Sequence, residues 1–229
     1  TGVIGECYYA HCWYANSRGS IGRGEPADPP SGLDYDLWQG PAPREPYRDN
    51  ILHYDWHWFR NWGTGEAGNN GVHALDLCRW GLGVDFPERV TASGDRYHWD
   101  DDWEFPDTQV LSFEFPGGKS ATWEGRSCNQ LPVHDSGFGA SFHGREGSLV
   151  MEGNGYAIYD MENELVERVE SPPDFDIDEG HLTNFLEAIR SGTRTRAPAE
   201  EGHRSTLLCQ LGNIAHRTDR ALRCDPATG

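Results

Sequence analysis

Apolar and polar residues alternate most cleanly between residues 108 and 126. In TQVLSFEFPGGKSATWEGR, Leu111, Phe113 and Phe115 alternate with Val110, Ser112 and Glu114, and Gly117-Gly118 marks a turn. A period of two around paired glycines predicts a hairpin with one covered face. Residues 139–160 predict three more short strands split by glycines. Residues 1–16, ERVTASGDRYH and ELVERVE add further strands, and the aromatic stretch ILHYDWHWFRNWGTG at 51–65 also has strand composition. The period lengthens to 3.6 over about 68–80, 178–190 and 201–222. In the last of these, Leu207, Leu208, Leu211, Ile214 and Ala215 form one helical stripe. Strands in the middle with helices before and after predict an α+β fold. Its sheet should be large, mostly antiparallel and open-faced, with helices covering one side. Residues 17–50 are rich in Pro, Gly, Ser and Asp but carry Leu37 and Trp38, which predicts a long ordered arm within a single domain over 1–229.

Composition narrows the partners. The 229 residues hold 37 acidic and 19 basic side chains, a formal net charge of -18. A field of that sign opposes nucleic acid and anionic membranes. No apolar run reaches the roughly 20 residues of a membrane span. The six cysteines form no CxxC pair and do not space like a small disulfide scaffold. They read as free thiols of a reducing, cytoplasmic compartment. No secretory signal is present, although a mature exported chain would have lost one.

Three constellations carry candidate chemistry. On the helix that opens GNNGVHALDLCRWGLG, Asn69, His73, Asp76 and Trp80 recur at spacings of four, three and four and share a face. His73 there is a candidate acid or base. The structural alternative is that Asn69 caps the helix and Asp76 holds a packing contact. On a strand, HYDWHW would place His53, Asp55 and His57 on one side, a candidate set for a divalent metal or the lining of a sugar cleft, with Trp58 available for stacking. RYHWDDDWEFPDT is a dense acidic patch in which His98 is a candidate substrate contact, and His134 sits on a glycine-flanked loop as a candidate rim residue. No GxSxG element or other nucleophile signature occurs.

GTGEAGNNGVHALDLCRWGLG, RGSIG, GREGSLVME, HLTNFLEAIRSGTRTRAPAEEGHRS and LGNIAHRTDRAL are weak signals singly. Together they resemble the C-terminal domain of the glucose-fructose oxidoreductase / inositol dehydrogenase (Gfo/Idh/MocA) family over nearly the whole chain. The resemblance implies an open sheet that assembles homo-oligomers and completes a sugar or polyol site. It also implies a separate Rossmann domain that binds NAD or NADP. His73 takes the place of the family's proton-accepting histidine. Asn69 stands where the family usually has an aspartate, which leaves it a hydrogen-bonding role toward a substrate hydroxyl. Neither the glycine-rich loop nor the family's EKP lysine occurs in these residues. The leading expectation is therefore the substrate-binding, catalytic-histidine half of a sugar or polyol oxidoreductase. Its nucleotide domain would come from elsewhere, as the rest of a longer protein or a partner chain. Two alternatives remain: a stand-alone, NAD-independent, metal-assisted carbohydrate lyase or hydrolase, and a non-catalytic oligomerisation module.

Overall fold

A computed structural model describes residues 2–172 and 176–227. Thr1, the head of the expected first strand, lies outside them. Nine strands form one mixed sheet. They are β1 (Cys7–Ala15), β2 (Arg89–Asp95), β3 (Thr108–Phe115), β4 (Lys119–Arg126), β5 (Phe138–Gly144), β6 (Ser148–Glu152), β7 (Gly155–Tyr159), β8 (Leu165–Val169) and β9 (Leu222–Arg223). The spatial order is β8-β7-β6-β5-β1-β4-β3-β2-β9. The β1–β4 pair is parallel and the other pairs are antiparallel.

The 3.6-residue stripes fold as α2 (Val72–Leu82), α3 (Ile177–Ser191) and α4 (Ala199–Thr218), after a short α1 (Tyr35–Trp38) in the arm. Helix α2 lies over β1, β4 and β5, and α4 lies over β2 beside α2. The core forms between these helices and one face of the sheet. Cys12, Leu111, Phe113 and Trp123 from the strands meet Leu75, Cys78, Leu208 and Cys209 from the helices. Burying such side chains contributes about 1.5–3 kcal/mol each. The approach is close: a Cβ on Gly212 would stand 2.3 Å from Leu111 Cδ1. The alternate positions Ser112, Glu114, Thr122 and Glu124 point to the face away from α2 and α4 and remain partly or fully exposed.

The expected strand at 51–65 does not form. Its aromatic residues instead build a 3-10 turn at Asp55–Trp58. Phe59 and Ile51 pack with Tyr47 of the arm, flanked by Trp38 and Trp62, while Trp58 stacks on Trp103 at 3.8 Å between ring centroids. Aromatic side chains reward burial in either geometry, so composition misleads here. The arm at 17–50 is ordered through these contacts. No helix among the described residues is long and apolar enough to cross a membrane.

A candidate sugar-site half at the start of helix α2

The chain enters α2 through a π turn at Ala67–Gly71. Gly71 is needed there, because a Cβ would approach Trp123 to 2.9 Å. The extra residue of a π turn rotates Asn69 away from the row set by α2 itself. The expected single face is therefore split. His73, Asp76 and Trp80 form an exposed row on α2, whereas Asn69 turns into a polar cluster beside the helix start.

Glu66, only 3% exposed, is the centre of that cluster. Arg18 donates from Nε to its Oε2 at 2.7 Å, Ser127 Oγ donates to the same oxygen at 3.0 Å, and Asn69 Nδ2 donates to Oε1 at 3.2 Å. Asn70 donates to Oε1 as well. Arg18 also donates to the hydroxyls of Tyr54 at 3.1 Å and Tyr14 at 3.3 Å, and its guanidinium lies 5.0 Å from the Trp58 ring centroid. Burial opposes the Arg18 charge, but the Glu66 carboxylate more than offsets it and raises the Arg18 pKa. Burial, with Glu66 nearby, raises the Tyr14 phenol above its usual value. The cluster presents hydroxyl and amide groups held by a fixed ion pair, a surface suited to hydrogen-bonding a polyhydroxylated ligand.

Further along the helix, α2 forms one wall of an open cleft of about 710 Å³ whose opposite wall is residues 194–199 and the start of α4; none of the cluster residues lines it. His73 lines this cleft. Asp76 lines it too, but its carboxylate is engaged: Ser205 Oγ donates to Oδ1, and Arg79 Nη2 stands 3.6 Å away. Arg79 is 6% exposed and also binds Asp85 at 2.9 Å and Glu201. This network ties α2 to α4.

The other expected site residues lie elsewhere. The 3-10 turn removes the shared strand face proposed for His53, Asp55 and His57. His57 instead stacks on Trp56 at 3.8 Å, with Nδ1 against the Tyr54 carbonyl, and the three do not converge as ligands. Burial raises the Asp55 carboxyl pKa. Trp58, 1% exposed, supports Arg18 from below and has no free face for a sugar. His134 lies against Trp13, a residue of the sheet face opposite α2, at 5.6 Å. His98 stands beside Asp107 and Cys128, where one ligand atom from each lies within 4.8 Å of the others. Arg18, Glu66, Tyr14, Tyr54 and Ser127 were not singled out by sequence. The legible signals were Glu66 seven residues before His73 and Arg18 at the head of RGSIG.

The sheet is open and mixed, its helices lie on one face, and His73 is exposed on α2. Residues 11–229 match the oxidoreductase family, C-terminal alpha/beta domain, and the chain belongs to that family. Among solved structures it is similar to an aldose-aldose oxidoreductase from Caulobacter crescentus complexed with glycerol. That match has 16% identity and a TM-score of 0.67, and covers 97% of this chain and 57% of the other. It is also similar to an oxidoreductase from Agrobacterium radiobacter in complex with NAD+, L-tartaric acid and magnesium, with 14% identity, TM-score 0.62, and 97% and 58% covered. A third is the WlbA dehydrogenase from Bordetella pertussis in complex with NADH and UDP-GlcNAcA, with 16% identity, TM-score 0.62, and 98% and 56% covered. The chain thus spans a little over half the length of these relatives. No curated protein sequence matches it.

Proposed function

We propose that this chain is the substrate-binding, catalytic-histidine half of a sugar or polyol oxidoreductase. The observation that carries the reading is His73, exposed on α2 at the cleft and following the Arg18–Glu66–Asn69 cluster. In this reading Asn69, Tyr54 and Tyr14 hold hydroxyls of the substrate, and Glu66 fixes Arg18 rather than reacting, because its oxygens already accept from Arg18, Asn69, Asn70 and Ser127. His73 receives the proton of the hydroxyl that becomes a carbonyl. The chain offers no strand, glycine-rich loop and helix to cradle a dinucleotide. In this reading NAD or NADP is held by a nucleotide-binding domain outside these residues.

Two surfaces support assembly around this half. Helix α3 shows Leu182, Phe185, Leu186 and Ile189 to solvent at spacings of three, one and three, an apolar row that fits an interdomain contact. The sheet face away from α2 and α4, with His11, Ser112, Thr122 and Glu124 across adjacent strands, fits self-association into a homo-oligomer.

The test is a titration of the 229-residue chain with aldoses, polyols and NADH, followed by NMR of the histidine side chains. Sugars or polyols should shift the His73 ring signals, Arg18→Ala should abolish the shift, and NADH should leave the spectrum unchanged. NADH binding to this chain by itself, or sugar shifts confined to histidines other than His73, would overturn the reading. In a preparation that includes the nucleotide domain, His73→Ala should reduce turnover by about 100-fold or more. Retained turnover would remove His73 from the mechanism.

A further inference from the structure

His98 and Asp107 lie on the connection from β2 to β3 and Cys128 lies after β4, and the fold brings the three together at one end of the sheet. Asp107 directly precedes β3, Cys128 follows β4, and His98 follows β2. These strands are neighbours, so the three residues meet where their ends come together. One ligand atom from each lies within 4.8 Å of the others.

The state of Asp107 is informative. It is 4% exposed, yet among the described residues no Lys or Arg pairs with it. Its Oδ2 accepts from the backbone N–H groups of Tyr97 at 2.7 Å and His98 at 2.9 Å, while Oδ1 accepts only from Thr108 Oγ1 at 2.9 Å. A carboxylate has about four lone-pair sites. The unused one is on Oδ1. The buried carboxyl is therefore oriented by hydrogen bonds, and among the described residues no Lys or Arg stands against it. The nearby carboxylates Asp101 and Glu66 have their cations already, Arg96 at 3.0 Å and Arg18 at 2.7 Å.

We infer that His98, Asp107 and Cys128 form a binding site for a borderline-soft divalent cation, Zn2+ being the best fit. Imidazole nitrogen, carboxylate oxygen and thiolate sulfur match zinc or cobalt and disfavour magnesium and calcium, which take oxygen ligands. Three protein ligands leave a fourth position for water. On binding, the Cys128 thiol releases its proton to solvent and a metal–sulfur bond replaces the S–H bond, with no change of oxidation state. The site is joined to the Glu66 cluster through one residue. Ser127 donates its N–H to the Asp107 carbonyl at 2.8 Å and its hydroxyl to Glu66 at 3.0 Å. A bound ion thus braces the floor of the Arg18–Glu66 cluster.

Co2+ added to the reduced, metal-free chain tests this directly. The expected result is one equivalent bound with a near-ultraviolet thiolate-to-cobalt band that Zn2+ abolishes and Mg2+ does not. Cys128→Ser should remove the band, and His98→Ala should weaken Zn2+ binding by about 100-fold or more, beyond the loss typical of an outer-shell change. Cys224→Ser should behave as the parent. A second measurement needs no variant: Zn2+ should slow alkylation of Cys128 and leave Cys7 and Cys224 unaffected. Absence of the band, its persistence in Cys128→Ser, or unslowed alkylation of Cys128 would overturn the proposal.

Discussion

Helix α2 buries Ala74, Leu75, Cys78 and Leu82 against the sheet and shows His73, Asp76 and Trp80 to solvent, whereas α3 buries only Ala188 of its described residues and shows Leu182, Phe185, Leu186 and Ile189. Both helices end on a left-handed glycine, Gly83 and Gly192, so their local stop signals are alike. What differs is the partner. The apolar stripe of α2 faces β1, β4 and β5, and its exposed row is polar apart from Trp80. The exposed row of α3 is apolar. A helix whose oily side faces water has its stabilising contact still to make. The same contrast divides the sheet, whose α2 face is a packed core and whose other face carries Ser112, Thr122, Glu124 and His11.

The largest expected break in this comparison is between two leucines. Leu75→Ala should destabilise the chain by about 3–4 kcal/mol in urea unfolding, because it leaves a cavity under α2. Leu186→Ala should change stability by less than about 0.5 kcal/mol in the chain as it stands. Equal losses would mean that α3 is as well packed as α2. Next is the tie between α2 and α4. Arg79→Ala should cost about 3 kcal/mol, since Asp76, Asp85 and Glu201 lose the cation they share. Trp80→Ala, on the exposed row one residue later, should cost less than about 0.5 kcal/mol by the same assay. Arg18→Ala should cost about 2–3 kcal/mol by leaving Glu66 buried without its charge partner, a deficit that Ser127→Ala would not reproduce in full.

A smaller effect separates the two faces of the sheet by pH. Burial lowers the pKa of His11, with Glu124 opposing and the neighbouring histidines adding to the shift, and burial also lowers that of His143. The fold therefore prefers both rings neutral. In the unfolded chain they titrate near about pH 6.5. Stability from this source is present above that value and declines as pH falls through the lower folded values. The melting temperature should drop between about pH 7 and about pH 5, and a His11→Gln, His143→Gln double variant should flatten the slope. The smallest effect is chemical. Burial pushes the Cys209 thiol up to about 12 and raises the Cys12 thiol well above its usual value. Burial also raises the thiols of Cys7, Cys224 and Cys128, the last to about 11, so access decides the outcome: slow alkylation at high pH should label these three half-buried thiols and spare Cys12 and Cys209.

Patterning and composition left different parts of the molecule legible. The hairpin at 108–126 was readable because strict alternation and a double glycine admit one geometry, and Leu111, Phe113 and Phe115 are buried as that reading requires. The helices over 177–191 and 199–218 followed from their 3.6-residue stripes and the glycines or prolines at their ends. His73 was legible as a polar residue on an apolar helix. The turn at 55–58 was not, because Trp56, Trp58 and Phe59 satisfy a strand pattern and an aromatic cluster equally well. The π turn was not either. Its one-residue excess shifts Asn69 off the His73 row, and spacing counted on an ideal helix has no means of registering it.

The amino-acid sequence by itself determined which residues alternate, where the helices stop, the acidic charge and the family motifs, because each of these depends on neighbours within a few positions. Only the tertiary structure decided that Arg18, Glu66, Tyr54 and Ser127 form one cluster, that Trp58 supports it from beneath, and that His98, Asp107 and Cys128 share a corner. Most of those contacts join positions more than ten residues apart, and they exist because strand order and helix docking bring β1, β3, β4 and the start of α2 to the same end of the sheet.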